Sequence, residues 1–569
     1  MPMLRYVALA SDYDGTIARD GIVAEHVHAA LQRVRESGRR VVLVTGRRLE
    51  ELAAVFPHLE LFDRIVAENG ATLYRPKMKE VAVLAPPPPR AFVDALLAHG
   101  IPLDVGHVIV ATREPHETLV LDTIREQGLE MQVIFNKGAV MVLPSGVNKA
   151  TGLDAALSEL GVSWHSVVGV GDAENDHAFL SRCECSFAVA DALPAVRERC
   201  DVVTAGGAGD GVAELAEALL RSDLAELEER VARHRVAVGT DGDGHEVELG
   251  PYGETVLVAG PEGSGKSTIA TGLLERLADA GYQFCLLDPE GDHEGLPAVV
   301  LGDAKREPTC DEIVEVLARP DQSAVANLSG LERERRPPYL LTLLARLQDL
   351  RTRFARPHWI ALDDVHRVLT SSWEGSELDR SLVLPGMLLI SDDPDAISPV
   401  ALAALTAVVA LGEKAGEVLA RVARAAGWPA LEEAAPARPG EALFARRGEP
   451  VVRVRVDRPR AERRRHRRKY AEGDLGPDAS FYFRGADGRL NLRAQNLSLF
   501  LQLADGVDVE TWNHHRRLGE YSRWVREAIR DEALANEIAA VERDPSLSAQ
   551  DARARVKQAI ERFYAVPAG

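Results

Sequence analysis

Two stretches of this sequence carry residue types and spacings that act on phosphate. The first is SDYDGTIA at 11–18, where Asp12 and Asp14 stand two residues apart, directly after the apolar run YVALA at 6–10. A carboxylate so placed can attack phosphorus to give an aspartyl-phosphate, provided a divalent cation neutralises the approaching charges. A second carboxylate beside it can protonate the leaving alcohol and later deprotonate water. The other stretch is GPEGSGKST at 260–268, which satisfies G-x-x-x-x-G-K-S with Gly260, Gly265, Lys266 and Ser267. Gly263 lies inside that loop and Thr268 follows it. Backbone N–H groups of such a loop cradle phosphates, the lysine reaches the β/γ oxygens, and the serine hydroxyl binds Mg²⁺. The ligand expected at 260–268 is ATP.

Each stretch has companions. RVVLVTG at 40–46 ends a strand-like run with Thr45, whose hydroxyl can hold phosphate oxygens. Lys149 opens a helical pattern and can place a cation on a phosphoryl group. GDAEND closes another strand-like run with Asp172 and Asp176, and these acids, with Asp12 and Asp14, form an oxygen-ligand set for Mg²⁺. For the glycine-rich loop the partner is HWIALDDVHRV at 358–368: Asp363 would hold the metal's water shell with Ser267, and Asp364 would polarise the attacking water.

Positioning these residues requires an α/β, multidomain chain. Strand-like runs alternate with helical patterns from the start, which predicts a parallel sheet covered by helices over 1–222. A proline run at 85–91 introduces an α+β insert over about 80–146, in the order helix, strand, helix, strand, strand. Residues 224–238 read as a connecting helix, and 240–250 has hairpin chemistry. A second α/β core is expected over 236–430, a linker over 431–473, and a mainly helical module over 474–569. In that last module, aromatics at 481, 482, 483 and 500 and the pair His514–His515 read as core or surface, not as metal ligands.

The 569 residues exceed what one core holds, and 46% hydrophobic with 27% charged content is that of a globular protein. A net charge of −20 argues against a general nucleic-acid or membrane coat. The basic run at 458–469 is read as a solvated linker, with nucleic acid kept as a candidate partner. The five cysteines have the spacing of neither a disulfide framework nor a zinc site. The start turns acidic too soon for a signal peptide, and no apolar run reaches the roughly 20 residues of a membrane span, so the expected location is the cytoplasm.

On Asp12, Asp14, Thr45, Lys149, Asp172, Asp176 and the stretch Glu68-Asn69-Gly70-Ala71, residues 1–222 resemble the haloacid-dehalogenase-type phosphatases, in the branch with a large cap between the second and third motifs. That resemblance implies a Rossmann-like core, Asp12 as nucleophile, Asp14 as acid/base, Mg²⁺, and hydrolysis of small phosphomonoesters. VIFNKGAVMVLPSGVNKATGL at 133–153 is similar to phosphoglycolate and sucrose-phosphate phosphatases. His177 stands where that branch has an aliphatic residue. LLDPEGDHEG at 286–295, with Asp363-Asp364, resembles the HerA/FtsK-type P-loop ATPases, which implies ATP hydrolysis and ring assembly. Asp364 stands where most such motors carry glutamate, and Asp392 lies where a polar sensor is usual.

The expected function is a capped, Mg²⁺-dependent phosphatase of a sugar phosphate or phosphoglycolate-like metabolite, fused to an ATP-binding unit. Two alternatives share its motifs: a polynucleotide end-processing kinase–phosphatase, and a DNA-linked ATPase with the P-loop unit as motor or nucleotide-sensing switch.

Overall fold

The computed structural model describes residues 4–564 apart from 137, 232–233, 251, 262, 292, 294, 368, 370–384, 432–436, 439, 457–458, 461–469, 472, 474, 486–489 and 530. Short runs such as RVVLV and VVGVG are buried on both faces, as central parallel strands must be. In chain order the N-terminal strands are β1 (Ala8–Ser11), β2 (Arg40–Val44), β3 (Arg64–Ala67), β4 (Thr72–Arg75) and β5 (Glu80–Val83). A cap follows, with β6 (Asp104–Val105), β7 (Val110–Arg113), β8 (Met131–Asn136) and β9 (Ala139–Pro144) and the helices Arg90–Ala98 and Glu117–Glu126. The chain then returns to the core with β10 (Val167–Gly171), β11 (Cys185–Ala188) and β12 (Val202–Val203).

The core sheet has the order β12-β11-β10-β1-β2-β3-β4-β5, and the cap sheet β6-β7-β9-β8. Register fixes where the chemistry collects. Ser11 pairs with Leu43 of β2 and with Val170 of β10, all parallel, so Asp12, Thr45 and Asp172 leave the sheet along one edge. The cap elements begin at Arg90, whereas Glu80–Val83, which the sequence reading put at the start of the insert, extends the core sheet beside β4.

A second sheet contains β13 (Val236–Thr240), β14 (Glu246–Leu249), β15 (Thr255–Ala259), β16 (Phe284–Asp288), β17 (Val299–Leu301), β18 (Ala324–Asn327), β19 (Trp359–Leu362), β20 (Met387–Ser391), β21 (Ala407–Ala410), β22 (Glu441–Arg446) and β23 (Val452–Arg455). Its order is β14-β13-β23-β22-β21-β15-β20-β19-β16-β18-β17. The strands from β21 to β17 run parallel, and the others are antiparallel.

Two sequence expectations are corrected here. Residues 224–238 are not one helix: Asp223 and Leu224 take left-handed backbone (φ 53° and 61°), and Val236–Thr240 pairs with β14 and β23. Strand pairing outweighs the helical propensity of a Leu-, Ala- and Glu-rich run. Part of the stretch read as linker, 441–455, forms β22 and β23, because each finds a partner strand that composition does not reveal.

Both sheets lie in one compact unit, Met1–Asp292 with Pro297–Val456. They meet at the amino ends of their strands. Arg356, fully buried just before β19, donates to the carbonyl of Gly161, the C-cap of the helix Lys149–Leu160 (2.8 Å from Nη2). A cation on exposed helix carbonyls is favourable there. The Tyr252 hydroxyl donates to the His165 carbonyl (2.5 Å), and the Tyr282 hydroxyl to Glu184 (3.0 and 3.1 Å).

The other unit comprises His293–Leu296 and Asp457–Gly569. Its hairpin, β24 (Phe481–Phe483) with β25 (Leu492–Ala494), packs with the helices Leu497–Gly506, Val509–Arg517, Glu520–Trp524, Glu532–Arg543 and Ala549–Tyr564 around Phe500, Trp512, Tyr521 and Trp524. His515 is buried, accepting from the Arg484 N–H at Nε2 (2.9 Å) and bonded to Glu520 at Nδ1 (2.5 Å). The basic run at 458–469 lies, except for residues 459 and 460, outside the described residues. Among the described residues no helix is long and apolar enough to cross a membrane.

Candidate active site

The helix Lys149–Leu160 delivers the central cation. Asn148 caps it, accepting from the N–H groups of Ala150 (2.9 Å) and Thr151 (3.2 Å). The helix lies unusually close to the core. A Cβ on Gly70, whose φ is 104°, would stand 1.9 Å from the Asn148 carbonyl oxygen, and one on Gly152 would stand 2.5 Å from the Gly70 Cα. Two glycines face to face let the first helical turn reach the sheet edge.

Lys149, buried, places Nζ 2.5 Å from Asp12 Oδ1 and 2.6 Å from Asp176 Oδ1. Asp176 turns its other oxygen to the N–H groups of Asp172 and Ala173, both at 2.9 Å. The Thr16 hydroxyl donates to Asp172 (3.1 Å) and lies 3.4 Å from Asp12. Oxygens of Asp12, Asp172 and Asp176 lie within 4.8 Å of one another. Burial, and then the charge of Asp176, push the Asp12 carboxyl up to about 8 against the opposing pull of Lys149. Burial works against the charge of Lys149, but the two carboxylates outweigh it and hold its pKa above the usual lysine range.

Three buried acids around one ammonium ion leave negative charge unbalanced, and their donor atoms are all hard oxygens. This set fits Mg²⁺.

Asp14 points elsewhere. It forms a two-pronged pair with Arg47, at 2.6 Å to Nε and 2.7 Å to Nη2, and its side chain is 41% exposed. Thr45 is buried at the end of β2, with its hydroxyl accepting from the Arg47 N–H (3.1 Å). The sequence reading passed over Arg47, although it follows Thr45-Gly46 directly. It also gave no role to Glu68, whose buried carboxylate accepts from three consecutive cap N–H groups, His107 (3.0 Å), Val108 (2.9 Å) and Ile109 (3.0 Å). Asn69 joins the cap to the acid loop, donating to Met141 Sδ (3.0 Å) and accepting from Asn175 (2.9 Å). Cap strand β8 packs against Glu174–Asp176, so the cap lies over the acidic edge. His177 bonds to Arg199 (3.1 Å).

Known proteins can now be set beside this geometry. Residues 9–101 and 104–215 match the haloacid dehalogenase-like hydrolase family. A phosphoglycolate phosphatase of Natronomonas pharaonis is 33% identical over 218 residues, which span 36% of this chain and 94% of that protein. The chain belongs to the haloacid dehalogenase-like hydrolases. A phosphoglycolate phosphatase of Methanothermobacter thermautotrophicus is 30% identical over 217 residues, 36% of this chain and 96% of that protein. A solved haloacid dehalogenase-like hydrolase from Bacteroides thetaiotaomicron aligns over 38% of this chain and 99% of its own, at 20% identity and a TM-score of 0.34. The N-terminal region is thus a haloacid dehalogenase-like hydrolase with an α/β, Rossmann-like core.

The glycine-rich loop joins β15 to the helix Lys266–Asp279, with Gly263 and Gly265 in left-handed backbone (φ 76° and 99°). Lys266 Nζ folds back onto the Pro261 carbonyl (3.0 Å), and Ser267 and Thr268 begin the helix, half-buried. Ser264 Oγ is buried without a hydrogen-bond partner among the described residues. β20 lies between β15 and β19, so Asp363 and Asp364 leave the same edge as the loop, one strand away. The Asp364 N–H donates to Asp363 Oδ1 (2.9 Å), and its own carboxylate lies 3.5 Å from Arg367. Asp392 pairs with His366 (3.3 Å).

Proposed function

We propose that residues 9–215 hydrolyse a small phosphorylated metabolite, a sugar phosphate or phosphoglycolate-like acid, through an aspartyl-phosphate on Asp12. One observation carries this reading: Lys149 binds Asp12 and Asp176 at once, beside Asp172, beneath a cap. Asp12, Asp172 and Asp176 would hold Mg²⁺, with Asp14 the remaining acid of the set, and the ion would offset the negative charge shared by phosphate and carboxylates.

Asp12 attacks phosphorus, a new P–O bond forms, and the bond to the substrate oxygen breaks as Asp14 gives that oxygen a proton. Asp14 then takes a proton from water, which attacks phosphorus, and the bond to Asp12 breaks to release phosphate. Lys149 keeps Asp12 aimed and draws its raised pKa back down, Thr45 offers its hydroxyl to phosphate oxygens, and Arg47 holds Asp14 until substrate arrives. The cap contact through Glu68 favours a small substrate over a polynucleotide end. The decisive test is hydrolysis of p-nitrophenyl phosphate by Asp12→Asn in the presence of Mg²⁺; retained turnover would remove Asp12 as nucleophile.

The second sheet, in the same proposal, binds ATP at Gly260, Gly263, Gly265, Lys266, Ser267 and Thr268, with Ser267 and Asp363 toward Mg²⁺ and Asp364 toward water. The orphaned Ser264 hydroxyl and the two left-handed glycines support it. Calorimetric titration of wild type and Lys266→Ala with ATP tests this part, and equal affinities would place the nucleotide elsewhere.

A further inference from the structure

Outside both phosphate sites, three titratable side chains converge at the seam between the sheets. Glu184 is fully buried just before β11, and His165 just before β10, at the opposite end of that strand from Asp172. His234 stands just before β13, half-buried.

The protons of the two imidazoles can be placed by their partners. His165 Nε2 lies 2.8 Å from the Ala280 carbonyl, and His234 Nε2 lies 3.3 Å from the Cys183 carbonyl. A carbonyl oxygen only accepts, so both Nε2 atoms carry hydrogen. Each neutral ring then presents the Nδ1 lone pair, and both Nδ1 atoms face the same oxygen, Glu184 Oε2, at 2.8 and 3.8 Å. Two ring nitrogens converging on one carboxylate oxygen call for positive charge between them, supplied either by protons on the rings or by a metal ion. An outer N–H tied to a backbone carbonyl is also how metal-bound histidines are oriented.

We propose that His165, His234 and Glu184 form a site for a divalent transition-metal ion of the zinc class. Their candidate ligand atoms lie within 4.8 Å of one another. Ligands at zinc distances sit about 3.3 Å apart in a tetrahedron, and the two observed separations fall on either side of that value. The donor set is two imidazoles and one carboxylate, which selects zinc-like ions over Mg²⁺. Arg5 holds Oε1 (3.3 Å), and the Tyr282 hydroxyl is shared between Oε1 (3.1 Å) and Oε2 (3.0 Å), which fixes the carboxylate with Oε2 turned toward both rings. Entry is provided by a cleft of about 1020 Å³ lined by His165, His234, Tyr282, Trp164, Arg182 and Gln283. His165 and Glu184 lead into strands of the first sheet and His234 leads into β13 of the second, with Ala280 and Tyr282 adding support from the second, so the ion would fasten the two sheets together.

The test uses the full chain, stripped with a chelator and returned to excess Mg²⁺ to fill the carboxylate sites, then titrated with zinc alone. One zinc per chain that Mg²⁺ does not displace is expected, with a rise in thermal midpoint. His234→Ala should weaken zinc binding by more than the roughly 100-fold that loss of an outer partner costs. It should retain p-nitrophenyl phosphate hydrolysis, and Asp12→Asn should still bind the zinc. If His234→Ala does not fold, His234→Gln and the cobalt(II) spectrum of wild type replace it: intense tetrahedral bands support the site, and weak six-coordinate bands overturn it. Absence of Mg²⁺-resistant zinc, or equal affinity in the His234 variant, overturns the proposal and leaves a proton-bridged ion pair at the seam.

Discussion

The acidic edge and the glycine-rich loop are built in opposite ways for the phosphate chemistry proposed of them. At the first, Lys149, Asp12 and Asp176 are buried and already in contact, locked by a helix cap, two glycines and the cap strands. At the second, among the described residues, Lys266 is partly exposed and bonded only within its own loop, and Ser264 is left unsatisfied. The former places its charges before any ligand arrives, as a site that must stabilise a transition state does. The latter waits for phosphate to complete its hydrogen bonds. Substitutions should therefore act as losses of turnover at one site and as losses of affinity at the other.

The largest expected effect is at Asp12. Asp12→Asn should lower kcat for p-nitrophenyl phosphate by about 10⁴-fold or more while ATP binding stays within twofold, and chelation of Mg²⁺ should abolish that turnover reversibly. A comparable loss of ATP binding in that variant would break the contrast. Next, Lys266→Ala removes one charge-assisted contact, about 1.5–3 kcal/mol, and should weaken ATP by roughly 10- to 150-fold in a calorimetric titration. Its unliganded melting temperature should stay near wild type, because among the described residues Lys266 bonds only a loop carbonyl.

Gly70→Ala tests the preformed geometry from a distance. The added methyl meets the Asn148 carbonyl, so the lysine-bearing helix must shift, with about 1–3 kcal/mol of stability lost and kcat reduced by roughly 10- to 100-fold. Thermal melting and single-turnover kinetics check this, and unchanged values would show that the close approach is dispensable. The smallest effect is expected from Arg47→Ala. It frees a half-exposed Asp14, costs less than about 1 kcal/mol in stability, and should reduce kcat about tenfold with KM little changed.

What the sequence disclosed follows the range of the interactions involved. The carboxylates Asp12, Asp172 and Asp176 were legible because buried parallel strands are continuous apolar runs, and their ends are where loops carry ligands. The cap's order of helices and strands was legible for the same local reason, except for the two-residue β6 (Asp104–Val105), too short to show an apolar pattern. Glu68 was not given its role, since its three N–H partners lie 39 to 41 residues away in the cap. The run at 224–238 misled because Leu, Ala and Glu favour a helix, whereas Val236–Thr240 is decided by β14 and β23. The seam had no signal at all, because Ala280 and Tyr282 meet His165 and Glu184 only after both sheets have formed.

The hold of Arg356 on Gly161 bears on anyone who would cut this gene. A catalyst trimmed after residue 222 would keep the acids and their lysine, but the helix carrying that lysine would lose its far anchor. Glu184, shielded in the full chain by Tyr282, would meet bulk water. Transplanting the phosphatase therefore calls for rebuilding the surface at Gly161, His165 and Glu184. Assays on a bare fragment would describe a different object from the enzyme inside the whole chain.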